Sequence, residues 1–285
     1  MLKKLRVLFA VVMGAVITFY FLDFAGLTTG WPNLARIQFV PALLAGSFGI
    51  VLILLVATLL FGRIYCSVIC PLGVFQDAVS WFSGKQKKNR FRYSPALKWL
   101  RYGVLAVFIL ALVAGLNAFV VLLAPYSAYG RMVSSLLAPV WQWGNNLLAY
   151  FAERAESYAF YEVDVWMKSL STLIIAVITL IVLFVLAWRN GRTYCNTVCP
   201  VGTVLGFFSR FSLFRLELDA GKCRNCGLCA RQCKAACIDY KNHQIDYSRC
   251  VACMDCLDSC RHDALHFRLR TAKAARPAVE KTEPA

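Results

Sequence analysis

Eight of the 13 cysteines in this chain of 285 residues share one repeated spacing, Cys223-x2-Cys226-x2-Cys229-x3-Cys233 followed by Cys250-x2-Cys253-x2-Cys256-x3-Cys260. Nothing else in the chain limits its folding as much. Three thiolates at two-residue intervals hold three corners of a 4Fe–4S cube, and the fourth corner is supplied by the partner motif. Zinc motifs rarely place three cysteines so closely, and a disulfide scaffold would not require two copies in register.

The spacing resembles that of bacterial two-cluster ferredoxins, and the resemblance implies a chain that carries electrons. It also implies crossed ligation, with Cys223, Cys226, Cys229 and Cys260 on one [4Fe-4S] cluster and Cys250, Cys253, Cys256 and Cys233 on the other. The module departs from that pattern in one respect. Lys234 and Arg261 follow the fourth cysteines where proline is usual, which loosens a turn without removing a ligand. Cys237 is left over and reads as a small buried residue near a cluster, with a spare ligand as the alternative. Leu213–Leu218 and His266–Arg270 are expected to be the paired outer strands of an α+β module whose cluster loops are flanked by short strands and a helix.

A hydrophobic content of 59% with 16% charge is too apolar for a soluble ferredoxin and calls for membrane spans. Four stretches approach the roughly 20 apolar residues a bilayer requires: Leu5–Phe24, Val40–Phe61, Trp99–Leu123 and Leu170–Trp188. The first is read as a retained span, since no small-residue cleavage site clearly follows it. Lys3, Lys4 and Arg6 precede it, and Lys85, Lys87, Lys88, Arg90, Arg92, Lys98 and Arg101 lie between the second and third. Residues 124–169 are instead balanced, with Arg131, Arg154 and Lys168 against Glu153, Glu156, Glu162 and Asp164. By the positive-inside rule, both termini, the basic loop and the cysteine module face the cytoplasm of an inner-membrane, multi-pass protein. The net charge of +16 is then mainly a topology signal and secondarily an attraction to anionic lipid or to an acidic protein donor. No recognised nucleic-acid-binding motif accompanies it.

Four further cysteines belong to an internal repeat. Gly62-Arg63-Ile64-Tyr65-Cys66-Ser67-Val68-Ile69-Cys70-Pro71-Leu72-Gly73 aligns with Gly191-Arg192-Thr193-Tyr194-Cys195-Asn196-Thr197-Val198-Cys199-Pro200-Val201-Gly202. Each copy follows an inward-running span, so the two are expected to face one another across a pseudo-twofold at the membrane surface. Helical spacing places both sulfurs of a copy on one face. Four thiolates suit a third cluster, Cu(I) or zinc. They also suit dithiol–disulfide exchange beside Arg63 and Arg192, or simple packing in a turn.

The paired Cys-x3-Cys-Pro motifs, the spans and the two-cluster module together resemble the membrane polyferredoxins related to NapH, NosR and CcoG, over most of residues 1–270. The resemblance implies electron transfer at the cytoplasmic membrane. In NapH-like members electrons pass from a quinol toward a partner system, and CcoG-like members are associated with copper reduction. It favours an electron-transfer component over a stand-alone enzyme, with quinone or a soluble acidic ferredoxin or flavodoxin as partners, and with a cupric reductase or a structural anchor or assembly subunit of a redox complex as the alternatives. No flavinylation motif is present, so no covalent flavin is expected. The only histidines, His243, His262 and His266, all lie in the module, so no haem is expected in the spans.

The expected architecture is therefore a mainly α membrane domain over residues 1–215, a two-cluster domain over 216–270 and a disordered tail over 271–285. Phe75, Val79 and Phe82, and likewise Phe207, Phe208 and Phe211, predict a helix on the membrane surface after each repeat. Gln76 and Asp77 then read as part of a solvated face. Trp141, Trp143, Tyr150, Tyr158 and Tyr161 read as interfacial anchors.

Overall fold

Glycine decides where the apolar stretches stop being helices. The computed structural model describes residues 2–22, 35–86, 91–155, 161–165 and 169–270. Helix α1 (Leu2–Leu22) is one apolar run long enough to cross a bilayer. The second expected span is instead broken into α2 (Phe39–Leu44) and α3 (Phe48–Phe61), because Gly46 takes φ +68°. A left-handed glycine ends a helix at little steric cost. Gly62, at φ +73°, ends α3 and turns the chain into α4 (Tyr65–Val68) and α5 (Pro71–Gln86).

The third expected span divides in the same way at Gly115, φ +70°, into α6 (Lys98–Val113) and α7 (Asn117–Leu123). Pro125 then opens α8 (Pro125–Met132), which runs through a π turn into α9 (Ala138–Arg154). The bend between α7 and the following helix is 80°. Helix α10 (Leu170–Asn190) is unbroken, and Gly191 at φ +66° ends it before α11 (Thr193–Thr197) and α12 (Pro200–Phe208). Among the described residues, two helices are therefore long and apolar enough to cross a membrane singly, or three if the bent segment is one span. Hydropathy registers composition and does not register a left-handed turn.

The helices after each repeat are largely interior. Helix α5 packs against α1, α8 and α10, and α12 against α3 and α6. Gln76, Val79 and Ser80 of α5 and Val201 and Leu205 of α12 are buried. The solvated face expected at Gln76 and Asp77 does not exist.

The last described stretch carries β1 (Phe214–Leu218), α13 (Leu228–Gln232), β2 (Ile238–Asp239), β3 (Gln244–Ile245) and β4 (Leu265–Leu269). Strands β1 and β4 pair antiparallel, Phe214 opposite Leu269 and Leu218 opposite Leu265, where the sequence places the outer strands. A short helix follows the first cysteine loop, and turns take its place after the second. Expectations for residues 271–285, for Phe24, for Lys87, Lys88 and Arg90, and for Glu156, Tyr158 and Lys168 fall outside the described residues.

Candidate metal centres

The repeated motif has a physical reason at each identical position. Cys199 sits at the N-cap of α12, where its sulfur accepts the Gly202 N–H at 3.4 Å, and Pro200 occupies the first helical turn. Proline suits that turn because its missing N–H would have no helical partner. Arg63 and Arg192 are fully buried and reach across to the opposite copy. Arg63 Nη2 donates to the Cys195 carbonyl at 3.0 Å, and Arg192 Nη1 donates to the Cys66 carbonyl. Gly73 and Gly202 allow these crossings. A Cβ on Gly73 would strike the Cys66 carbonyl and one on Gly202 the Cys195 carbonyl, with the crossing guanidinium at 2.9 and 2.7 Å respectively.

The two copies thus face one another, and Cys66, Cys70, Cys195 and Cys199 are all buried. Cys70 and Cys199 each feel the charges of Cys66 and Cys195. Burial lifts Cys195 to about 11 although Arg192 and Arg63 pull the other way. Burial raises Cys70 and Cys199 further. At Cys195 desolvation outweighs the two basic neighbours. Among the described residues, no three His, Cys, Asp or Glu side chains converge to hold one metal ion. A cubane makes a different demand, since its thiolates bind separate irons at the outer corners.

The copies differ in their surroundings. Gln76 Nε2 donates to Cys195 Sγ at 3.4 Å, whereas Leu205 holds the matching place in the other copy. Asp77 accepts Arg192 Nε at 2.9 Å and also pairs with Arg6 at 2.8 Å and Lys234 at 3.5 Å. Burial alone would raise its carboxyl, but Arg192, Lys234 and Arg6 hold it well below the usual carboxylate range.

In the C-terminal module the thiols gather in two sets. Cys229 feels the charges of Cys223, Cys226 and Cys260, and Cys256 those of Cys253, Cys233 and Cys250 before that of Cys229. The foremost neighbours of each are those that crossed ligation would bring together. The backbone supplies a second sign. Left-handed residues recur 27 positions apart, at Asn225 and Ala252, Gly227 and Met254, and Ala236 and Asp263. Such positions disfavour most side chains, but alternating handedness turns successive N–H groups into a concavity suited to an anion such as a thiolate-bound cluster. These residues therefore fit the group that the cysteine spacing implies.

Two residues of the module do more than the sequence indicates. Cys237 is buried with its sulfur 3.5 Å from Cys233 Sγ. Its hydrogen bond is the main influence that brings Cys233 down to about 7. Lys234, in the place of the usual proline, pairs with Asp77 and with Asp255 at 2.9 Å, and its carbonyl accepts the Arg192 N–H at 2.9 Å. The module is thereby fixed to the second repeat. Arg63 Nη1 adds a bond to the Ser248 carbonyl at 3.1 Å and Asn196 Nδ2 one to the Ala235 carbonyl at 3.2 Å. Cys253 shares one buried core with Cys66, Cys70 and Cys199.

Fold and site define a membrane-associated iron–sulfur protein of the ferredoxin type. A family model described as a 4Fe-4S binding domain matches twice, at residues 43–89 and 171–218, and each match contains one copy of the Cys-x3-Cys-Pro repeat. The doubled match supports two 4Fe–4S clusters. The ferredoxin-type protein NapH of Haemophilus influenzae is 25% identical over 78% of this chain and 68% of its own length. The methylamine utilization ferredoxin-type protein MauN of Paracoccus denitrificans is 29% identical over 72% of this chain and 56% of its own. An uncharacterized protein of Methanocaldococcus jannaschii is 38% identical over 33% of this chain. This chain spans only 37% of that archaeal protein. These matches make the chain similar to membrane ferredoxin-type proteins such as NapH and MauN. No solved structure matches it.

Proposed function

We propose that this protein relays single electrons at the cytoplasmic face of the inner membrane, between the quinone pool or a soluble ferredoxin or flavodoxin and a partner redox system. The observation that carries the reading is the shared buried core of Cys253 with Cys66, Cys70 and Cys199, which places a module thiol in the same packed cluster as those of the membrane repeats. In this reading Cys223, Cys226, Cys229 and Cys260 hold one cluster, and Cys250, Cys253, Cys256 and Cys233 hold a second. Cys66, Cys70, Cys195 and Cys199 hold a third. Bound cubanes supply one-electron chemistry. Arg63 and Arg192 are buried at the junction between the two repeats. Residues 1–215 cross the membrane through α1, α10 and the two glycine-broken pairs α2–α3 and α6–α7, residues 216–270 form the two-cluster domain, and residues 271–285 are its tail.

Exchange with a quinone is supported by a cavity of about 960 Å³ between α1, α5 and the module. Its lining combines apolar Val11, Val74 and Trp81 with polar Arg6, Asp77 and Lys234. An apolar ring system with polar oxygens suits such a mixed lining.

The test is iron and acid-labile sulfide per chain in anaerobically purified protein, beside a variant with Cys66, Cys70, Cys195 and Cys199 all changed to serine. About 12 irons falling to about 8 is the expected outcome for three cubanes, one of them at the repeats. About 8 in both would remove the third cluster. Failure of both a quinol analogue and reduced ferredoxin to reduce the bound iron in membranes would overturn the relay.

A further inference from the structure

The first turn of α6 works against its own dipole. Helix N-termini carry partial positive charge and favour acidic or hydroxyl caps, yet Leu97 provides no side-chain cap, and the turn contains Lys98 and Arg101 with no acidic residue. Lys98 and Arg101 line a cavity of about 440 Å³ together with Arg210, Tyr93, Tyr102 and Asp246. Asp246 is already engaged, accepting Ser248 N–H at 3.0 Å, Ser248 Oγ at 2.7 Å and Arg249 Nε at 2.8 Å. Three cations thus share a cavity whose one acid is satisfied elsewhere.

Arg101 supplies the second observation. It is 3% exposed, and its Nη1 and Nη2 donate to Ser248 Oγ at 3.0 Å and to the Ser248 carbonyl at 3.1 Å. Its Nε, also buried, has no hydrogen-bond partner among the described residues. A buried donor without an acceptor is expensive, and Arg101 lines the cavity. Beside the cavity, Trp99 is 88% exposed, and Leu97 and Phe211 are exposed as well. Further along α6, Val107, Leu110 and Val113 are exposed. An apolar shaft topped by tryptophan and then by cations matches the order of acyl chain, interface and head group.

We propose that this cavity binds the phosphate of an anionic phospholipid head group. Lys98 and Arg210 pair with its charge, Arg101 Nε donates to a phosphate oxygen, and the Tyr93 and Tyr102 hydroxyls complete the donor set. Arg101 also grips Ser248, two residues before Cys250, so an occupied cavity ties the C-terminal module to the lipid surface. The inference needs membrane placement of α6 and does not depend on electron transfer.

The test uses full-length, cluster-loaded protein stripped of lipid in detergent and titrated with short-chain phosphatidylglycerol, phosphatidylcholine of equal chain length, or inorganic phosphate. Bound lipid is read by native mass spectrometry and protection by melting temperature. Phosphatidylglycerol is expected to bind saturably and to raise the melting temperature, phosphatidylcholine far less. Replacing Lys98 and Arg210, both exposed, by alanine is expected to weaken phosphatidylglycerol about thirtyfold, at roughly one surface-charge contribution each, with the visible cluster spectrum unchanged. Equal binding of the two lipids, or undiminished phosphatidylglycerol binding by the variant, overturns the site. Inorganic phosphate protecting as well as phosphatidylglycerol overturns the lipid as its source. A Lys98→Gln/Arg210→Gln pair, which keeps bulk without charge, gives the same reading if the alanine pair fails to fold.

Discussion

Arg192 grips Asp77 with two nitrogens, Nε at 2.9 Å from Oδ1 and Nη2 at 2.7 Å from Oδ2, in a setting where the arginine is wholly buried. The pair joins α5, which follows the first repeat, to the start of the second. Arg6 from α1 and Lys234 from the C-terminal module converge on the same carboxylate. One acid therefore holds three cations from three separate parts of the chain.

Removing that acid leaves buried cations without compensation, which typically destabilises by about 3–5 kcal/mol. Asp77→Ala is expected to show a loss of this size in thermal unfolding at neutral pH. The ionised form is favoured in the folded protein, so its contribution is fully present above the unfolded carboxyl value of about 3.9. It is lost as pH falls below that value toward the lower folded one. The gap between wild type and Asp77→Ala should accordingly narrow on acidification below about pH 4. A gap that is constant with pH would mean that the charge network contributes nothing.

Gly73 and Gly202 give a prediction of unusual sign. Glycine within a helix is normally about 1 kcal/mol worse than alanine, so Gly→Ala substitutions tend to stabilise. At these two positions the added methyl meets a cysteine carbonyl and the crossing arginine, and overpacking of that kind costs about 1–3 kcal/mol. Gly73→Ala and Gly202→Ala are expected to lower the melting temperature and reduce iron content. Gly103→Ala in α6, where nothing lies within 4 Å of the new methyl, is the control and should be neutral or stabilising.

The repeat and the paired outer strands were legible because each rests on a pattern within short segments. The helix breaks were not, since Gly46 and Gly115 sit inside apolar runs whose composition alone reads as continuous span. The burial of Asp77 was missed for another reason. Its partners Arg6, Arg192 and Lys234 are remote in sequence, and no local pattern announces them. One signal was available: Asp77 is the sole carboxylate between Asp23 and Glu153, in a stretch rich in lysine and arginine, and a lone acid among cations is a natural hub. Arg63 and Arg192 were noted only as cationic neighbours of the thiols, and the sequence did not reveal that their planar, many-donor heads clamp the two copies together.

The last prediction comes from the broken symmetry of the repeats. Gln76 donates to Cys195 Sγ at 3.4 Å, while Leu205 at the matching position has no amide to offer Cys66. Hydrogen bonds to ligand sulfur help set the potential of an iron–sulfur cluster, because they stabilise the more negative reduced form. If the repeats hold a cluster as proposed, Gln76→Leu, which makes the two copies alike, is therefore expected to lower the midpoint potential of that cluster. A net hydrogen bond of about 1 kcal/mol corresponds to a shift on the order of 40 mV for one electron. The check is a redox titration followed by electron paramagnetic resonance, with iron per chain measured alongside. An unchanged potential at unchanged iron content would show that the amide acts only in packing. A shift confined to the signals lost in the Cys66, Cys70, Cys195 and Cys199 serine variant would place Gln76 beside a redox-active centre.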